Sequence, residues 1–129
     1  MASPGQDYLS PQTIRAAAIL TTGYVAATVL DTQAKFNQLV IYNAFTIGSL
    51  TTAELKVDFS HDGTTWYQET FQAISSGTAT ETLGEHQWNA SGNRRILVPL
   101  KDRYVRVSVK GTGTVTNSSM EVLAILGNA

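Results

Sequence analysis

The 129-residue chain contains no cysteine, which excludes disulfides, thiolate nucleophiles and cysteine-ligated metals. Charge is scarce as well: Asp, Glu, Lys and Arg make up 15% of residues, against roughly 25% in an average soluble domain. A net charge of −1 offers no global attraction to nucleic acid and leaves no acidic tail. No run approaches the roughly 20 apolar residues of a membrane helix, so no membrane partner is expected. The opening MASPGQDYLSPQ lacks a basic segment followed by an apolar one, so no secretory signal is expected. On that reading the chain is made in a cytoplasm and stays there or leaves inside a particle. The N-x-S sequons at Asn89 and Asn117 then carry no meaning, because the triplet arises often by chance.

What is there is a period of two. With 43% hydrophobic residues, the chain is long enough for one domain with its own core. In Glu54–Ser60, Leu55, Val57 and Phe59 point one way while Glu54, Lys56 and Asp58 point to water. In Arg103–Lys110 the valines at 105, 107 and 109 face a core. Asp62-Gly63 between alternating runs predicts a hairpin turn, with Thr65–Phe71 pairing back on the strand before it. Further strands are expected at Tyr24–Leu30, Gln38–Phe45, Thr78–Leu83, Glu85–Asn89, Arg94–Leu100 and Ser119–Leu126. Turn residues part them at Ile47-Gly48-Ser49, Ser75-Ser76-Gly77, Ser91-Gly92-Asn93 and Gly111-Thr112-Gly113. Short strands at spacings of about 10 residues indicate an all-β fold, an antiparallel β-sandwich. Residues 23–129 would form it, with residues 1–22 as an extended N-terminal arm. Within residues 10–22 two readings stand. Ser10-Pro11 could cap a short helix, and the same segment alternates acceptably as a strand.

Two strands break the alternation. Gln38–Phe45, which includes Tyr42, and Met120–Leu126 are apolar on both faces apart from Glu121, so both faces need cover. Either the chain's own arm or a long loop supplies the second layer, or another subunit does.

The catalytic inventory is poor. His61 and His86 are the only histidines and fall in different expected turns or strands. No nucleophile elbow of the G-x-S-x-G kind is present. Gly111-Thr112-Gly113-Thr114 joins two strands and lacks the lysine of a phosphate loop. Glu81 and Glu85 sit in different strands and suggest no acid/base pair. The run Ser60-His61-Asp62-Gly63-Thr64-Thr65-Trp66 is one residue shorter than the Asp-box of sialidase-type propellers and occurs once. No enzyme activity, cofactor or metal is expected. Trp66, Tyr67 and Trp88 could form a platform for sugar rings, although tryptophan in a small β domain more often anchors a core or an interface.

The few charges are segregated. Between Glu54 and Glu85 six acids face Lys56 alone, a net of −5. Between Arg94 and Lys110 six bases, among them Arg94, Arg95, Arg103 and Arg106, face Asp102 alone, a net of +5. Either neighbouring strands pair these charges across one sheet, or they form faces complementary to a partner. Tyr104, Arg106 and Lys110 share a strand face that would suit a polyanion, but six clustered bases make dedicated nucleic-acid binding the weaker option. The candidate interface residues are Tyr42, Trp66, Tyr67, Trp88, Arg94, Arg95, Tyr104 and Arg106.

The order of segments also resembles a known group. Asn37–Thr70, then EHQW, then Ile96–Gly127 resembles small β-rich proteins encoded among the structural genes of tailed bacteriophages. The likeness rests on the S-x-D-G-x-x-W-Y hairpin at 60–67 and the K-D-R-Y-x-R-V-x-V-K-G-T-G-T-V segment at 101–115. Within that group, capsid decoration (cement) proteins with a jelly-roll fold are the nearest functional class. The resemblance implies a jelly-roll-like virion protein on the capsid surface, assembled in the host cytoplasm and bracing neighbouring capsid subunits. Its partners would be the major capsid protein and copies of itself in a homo-oligomer, a trimer or dimer. A tail or neck component is the alternative within the virion.

Overall fold

The computed structural model describes residues 7–33, 35–75 and 77–128, with residues 7, 8, 71–75 and 79–83 described by their backbone alone. In chain order the strands are β1 (Asp7–Tyr8), β2 (Gln12–Ala18), β3 (Val25–Ala26), β4 (Leu30–Asp31), β5 (Gln38–Thr46), β6 (Leu50–Ser60) and β7 (Tyr67–Gln68). They continue with β8 (Thr70–Ser75), β9 (Thr78–Leu83), β10 (His86–Trp88), β11 (Gly92–Pro99), β12 (Tyr104–Gly113) and β13 (Ser119–Asn128).

The alternating segments become the long central strands. β6 and β12 run antiparallel with Val57 opposite Val107 and Leu55 opposite Val109. Side chains at these positions are buried between two sheets, together with Leu39, Ile41, Phe45, Met120 and Val122 from the other layer. The first sheet has the order β2-β13-β5-β11, with β1 also on β13. The second centres on β6 and β12, with β7 and β10 along the free edge of β6 and β3 and β4 along that of β12. Counting β3 with β4, and β7 with β10, as interrupted edge strands leaves four positions in each sheet. The chain changes sheet at every connection between these positions except from β6 to β7, and every pairing is antiparallel. This is the connectivity of a double-sheet jelly roll.

Three expectations are corrected by the packing. Glu54 and Asp58 do leave the inner face of β6, but they are 3% and 2% exposed rather than in water. Long side chains from β12 and the chain before β3 lie over them. Tyr24–Leu30 is broken into β3 and β4, both on β12. Thr65–Phe71 pairs with β6 at Tyr67 and Gln68, with one more backbone hydrogen bond from Glu69 N–H to the Val57 carbonyl; the chain then departs into β8 and β9, which pair with each other as a separate two-stranded ribbon. Gly77, at φ +79°, closes that ribbon beside the pair Ser75 and Thr78, a turn that favours a residue tolerant of positive φ.

Of the two readings for residues 10–22, Gln12–Ala18 adopts the strand, pairing with β13 through two register shifts. Ile14 and Leu20 enter the core, and the Arg15 guanidinium donates to the carbonyls of Ala18, Ile19 and Met120. Residues 1–6 of the expected arm lie outside the described residues. Among the described residues no helix is long and apolar enough to cross a membrane.

Candidate functional site

The two sheets turn very different outer faces away from the core. On β6 and β12 the outward residues are charged, and strand register sets Asp58 against Arg106, Lys56 against Ser108 and Glu54 against Lys110. Arg106 Nε donates to Asp58 Oδ2 at 3.1 Å, and Lys56 Nζ stands 3.8 Å from the same oxygen. Glu54 Oε1 accepts from the hydroxyls of Thr52 at 2.6 Å and Thr112 at 2.9 Å. Aromatic rings close the layer. Trp66 lies 4.5 Å from the Arg106 guanidinium, and Tyr24 carries the ammonium groups of Lys56 and Lys110 at 4.9 and 4.8 Å. The Tyr24 hydroxyl donates to Glu85, and burial, followed by that bond, pushes its pKa up. Asp58 is thereby paired with two cations, whereas Glu54 Oε2 is buried with no hydrogen-bond partner among the described residues. With acids interleaved among its bases, the face has little attraction for a polyanion.

The outer face of the first sheet is apolar instead. Across β13, β5 and β11 the register sets Leu123, Tyr42 and Arg95 in one row and Ile125, Val40 and Leu97 in the next. Glu121, Ala44 and Asn93 form the row on the other side of Tyr42. Tyr42 is 37% and Leu97 51% exposed. Arg95 Nε donates to the Tyr42 hydroxyl at 3.3 Å. The double-apolar strands β5 and β13 are therefore covered on their inner faces by the second sheet; on the outer face Val40 is also buried, at 4% exposure, while Tyr42 and Leu97 stay open to solvent.

The eight sequence-derived candidates fall in four places. Tyr42 and Arg95 lie on the apolar face. Trp66, Tyr104 and Arg106 belong to the outer face of the second sheet. Trp88 packs against the core from β10, with the half-buried Arg94 5.2 Å from its ring. Tyr67 is 56% exposed, beside His61 at the edge of the second sheet. The rings of Trp66, Tyr67 and Trp88 thus share no platform, since Trp66 lies over Arg106 on the outer face, Tyr67 opens β7 opposite the inward Phe59, and Trp88 pairs with the inward Ala53. Sequence reasoning missed Leu97, Leu123, Ile125 and Glu121 as members of one surface. Ile96-Leu97-Val98, apolar on both faces like β5, was the available signal.

His61 and His86 do not converge. His86 sits opposite Leu55, and His61 follows the end of β6, roughly 20 Å away at strand spacing. His61 lies 3.8 Å from Asp62, whose carboxylate is occupied otherwise. Asp62 Oδ1 accepts from the backbone of Thr65 and Thr64 and from the Ser60 hydroxyl, and these bonds hold its pKa at about 2. Among the described residues no three His, Cys, Asp or Glu side chains gather as a metal site. The side chain of Glu81 lies outside the described residues.

No protein-family model matches the sequence, and no curated protein matches it. Solved structures share its fold. The crystal structure of the PBSX exported protein XepA superposes with a TM-score of 0.61 at 11% identity over 93% of this chain. The chain spans only 37% of that protein's length. A subunit of Bacillus endospore appendages, which form disulfide-linked pili, superposes with a TM-score of 0.52 at 11% identity, covering 99% of this chain and 94% of that one.

Proposed function

We propose that the chain is a structural subunit of a tailed-phage particle, and within it a decoration protein that binds the outside of the capsid shell. The observation that carries this reading is the apolar outer face of the first sheet, exposed at Tyr42 and Leu97. Contiguous apolar surface of this kind marks a protein–protein contact. The jelly-roll architecture shared with XepA, a protein of the PBSX phage, adds support at the level of fold. The pilus-like appendage subunit shares the fold too, but its disulfide linkage is closed to a chain with no cysteine. Subunits here would be held by apolar burial and charge complementarity, with many weak contacts summed over the shell.

Mass spectrometry of purified particles with copy-number counting tests the reading. A copy number matching the shell subunits supports decoration, one matching the tail or neck moves the protein there, and absence from particles overturns the proposal.

A further inference from the structure

The apolar face carries one cation and one anion on opposite sides of its centre. Arg95 lies across β5 from Leu123, and Glu121 is two residues along β13 from Leu123 on the same face. Two strand spacings and one two-residue step put them about 12 Å apart, too far to meet. Neither has an opposite charge of its own. Arg95 contacts the hydroxyl and ring of Tyr42, and Glu121 has no ion pair or hydrogen bond among the described residues. Arg103 and Arg106, by contrast, each meet a carboxylate of the same chain, Asp31 and Asp58.

Resting on the reading of the chain as an assembly protein, we infer that this face is closed by a second copy of the chain. The two copies pack face to face about a two-fold axis, and Arg95 of each meets Glu121 of the other. An axis lying in the interface and crossing β5 obliquely between Tyr42 and Ala44 exchanges the two charged positions. In an isologous contact the pair is made twice, and a foreign partner would have to supply both charges independently. Facing sheets stand about 10 Å apart, within the combined reach of an arginine and a glutamate. The same axis brings Tyr42 of each copy over Leu123 of the other, so the apolar centre closes as the charges pair. Three strands by three rows give a patch of roughly 300 Å² per copy. That is below the ~800 Å² per partner of a standard interface, so the dimer is one that dissociates on dilution.

Sedimentation equilibrium on the purified protein, from about 1 µM to about 1 mM, reads the association. The wild type is expected to pass from monomer to dimer within this range. Arg95→Glu and Glu121→Arg should each weaken self-association at least ~10-fold, since each sets like charges against one another twice. Mixed in equal amounts, the two variants should recover the wild-type affinity as a heterodimer, because every contact is again between opposite charges. That rescue also shows that neither variant is simply misfolded. A wild type that stays monomeric throughout overturns the inference, as does a dimer indifferent to both reversals or a mixture no better than its components. No particle enters this experiment, so its failure leaves the virion reading to be judged by mass spectrometry alone.

Discussion

Arg106 and Asp58 face each other across β12 and β6, Nε to Oδ2 at 3.1 Å, under the Trp66 ring at 4.5 Å from the guanidinium. The aspartate is 2% exposed, on a face that simple alternation assigns to water. Arg106→Ala should therefore destabilise the fold by about 2–4 kcal/mol, because it leaves a buried carboxylate with Lys56 as its remaining cation. Urea denaturation measures the loss. Arg106→Lys should recover part of it, and an effect below about 0.5 kcal/mol for the alanine variant would show that the pair contributes nothing net.

Leu55 is fully buried between the sheets. Leu55→Ala should cost about 2–5 kcal/mol through lost burial and the cavity left behind. The same change at Leu97, on the exposed outer face, should stay within about 0.5 kcal/mol of wild type. Equal losses at the two positions would contradict the assignment of inner and outer faces.

Gly48 has φ +55°, and a Cβ there would run into the backbone carbonyl of Asn117. Gly48→Ala should lower stability by roughly 1–3 kcal/mol from the backbone conformation alone, and further because the Asn117 chain must move. A thermal melt unchanged by the substitution would disprove this.

Asp62 makes an acid-sensitive contribution. Its folded pKa of about 2 lies below its ordinary value of 3.8. The folded state therefore binds the proton less readily than the unfolded chain does. The resulting stability is fully present above about pH 4 and is lost as pH falls through 2. Asp62→Ala should reduce stability at neutral pH and flatten this part of the acid limb. Denaturant midpoints measured between pH 5 and pH 2 in both proteins check the slope; identical slopes would remove Asp62 from the account.

Leu97→Lys places a charge on the apolar face, at its β11 edge. Stability of the isolated protein should hardly change, while self-association should weaken, because an unpaired ammonium would have to be brought into the contact between copies. A variant that associates as well as wild type would exclude Leu97 from that contact.

Much of the core was legible in the sequence. Val105, Val107 and Val109 face inward as their spacing required, and Asp62-Gly63 turns the chain at the end of β6. The break in Tyr24–Leu30 was not, because a continuous alternating pattern carries no mark of where an edge strand leaves its neighbour. The departure of β8 and β9 was hidden for a related reason: Thr65–Phe71 and Thr78–Leu83 both read as strands, and pattern alone does not choose a strand's partner. The candidate site was legible only in part. Tyr42 and Arg95 were singled out separately, and their placement together came from the pairing of β5 with β11.

By itself the sequence determined the all-β class, the inward-facing set and most of the turns. Side chains alternate across a strand, and glycine and aspartate admit backbone conformations that other residues resist. Only the tertiary structure decided which outward faces are covered. Glu54 and Asp58 are buried because Tyr24, Trp66 and the cations of β12, brought in from distant parts of the chain, lie over them. The outward residues of β5 and β13 have no such cover at Tyr42, since the chain is spent in building the second sheet against their other side. A local pattern of period two says that a residue points away from the core. Whether it then meets water, its own chain or another copy depends on contacts between segments far apart in sequence.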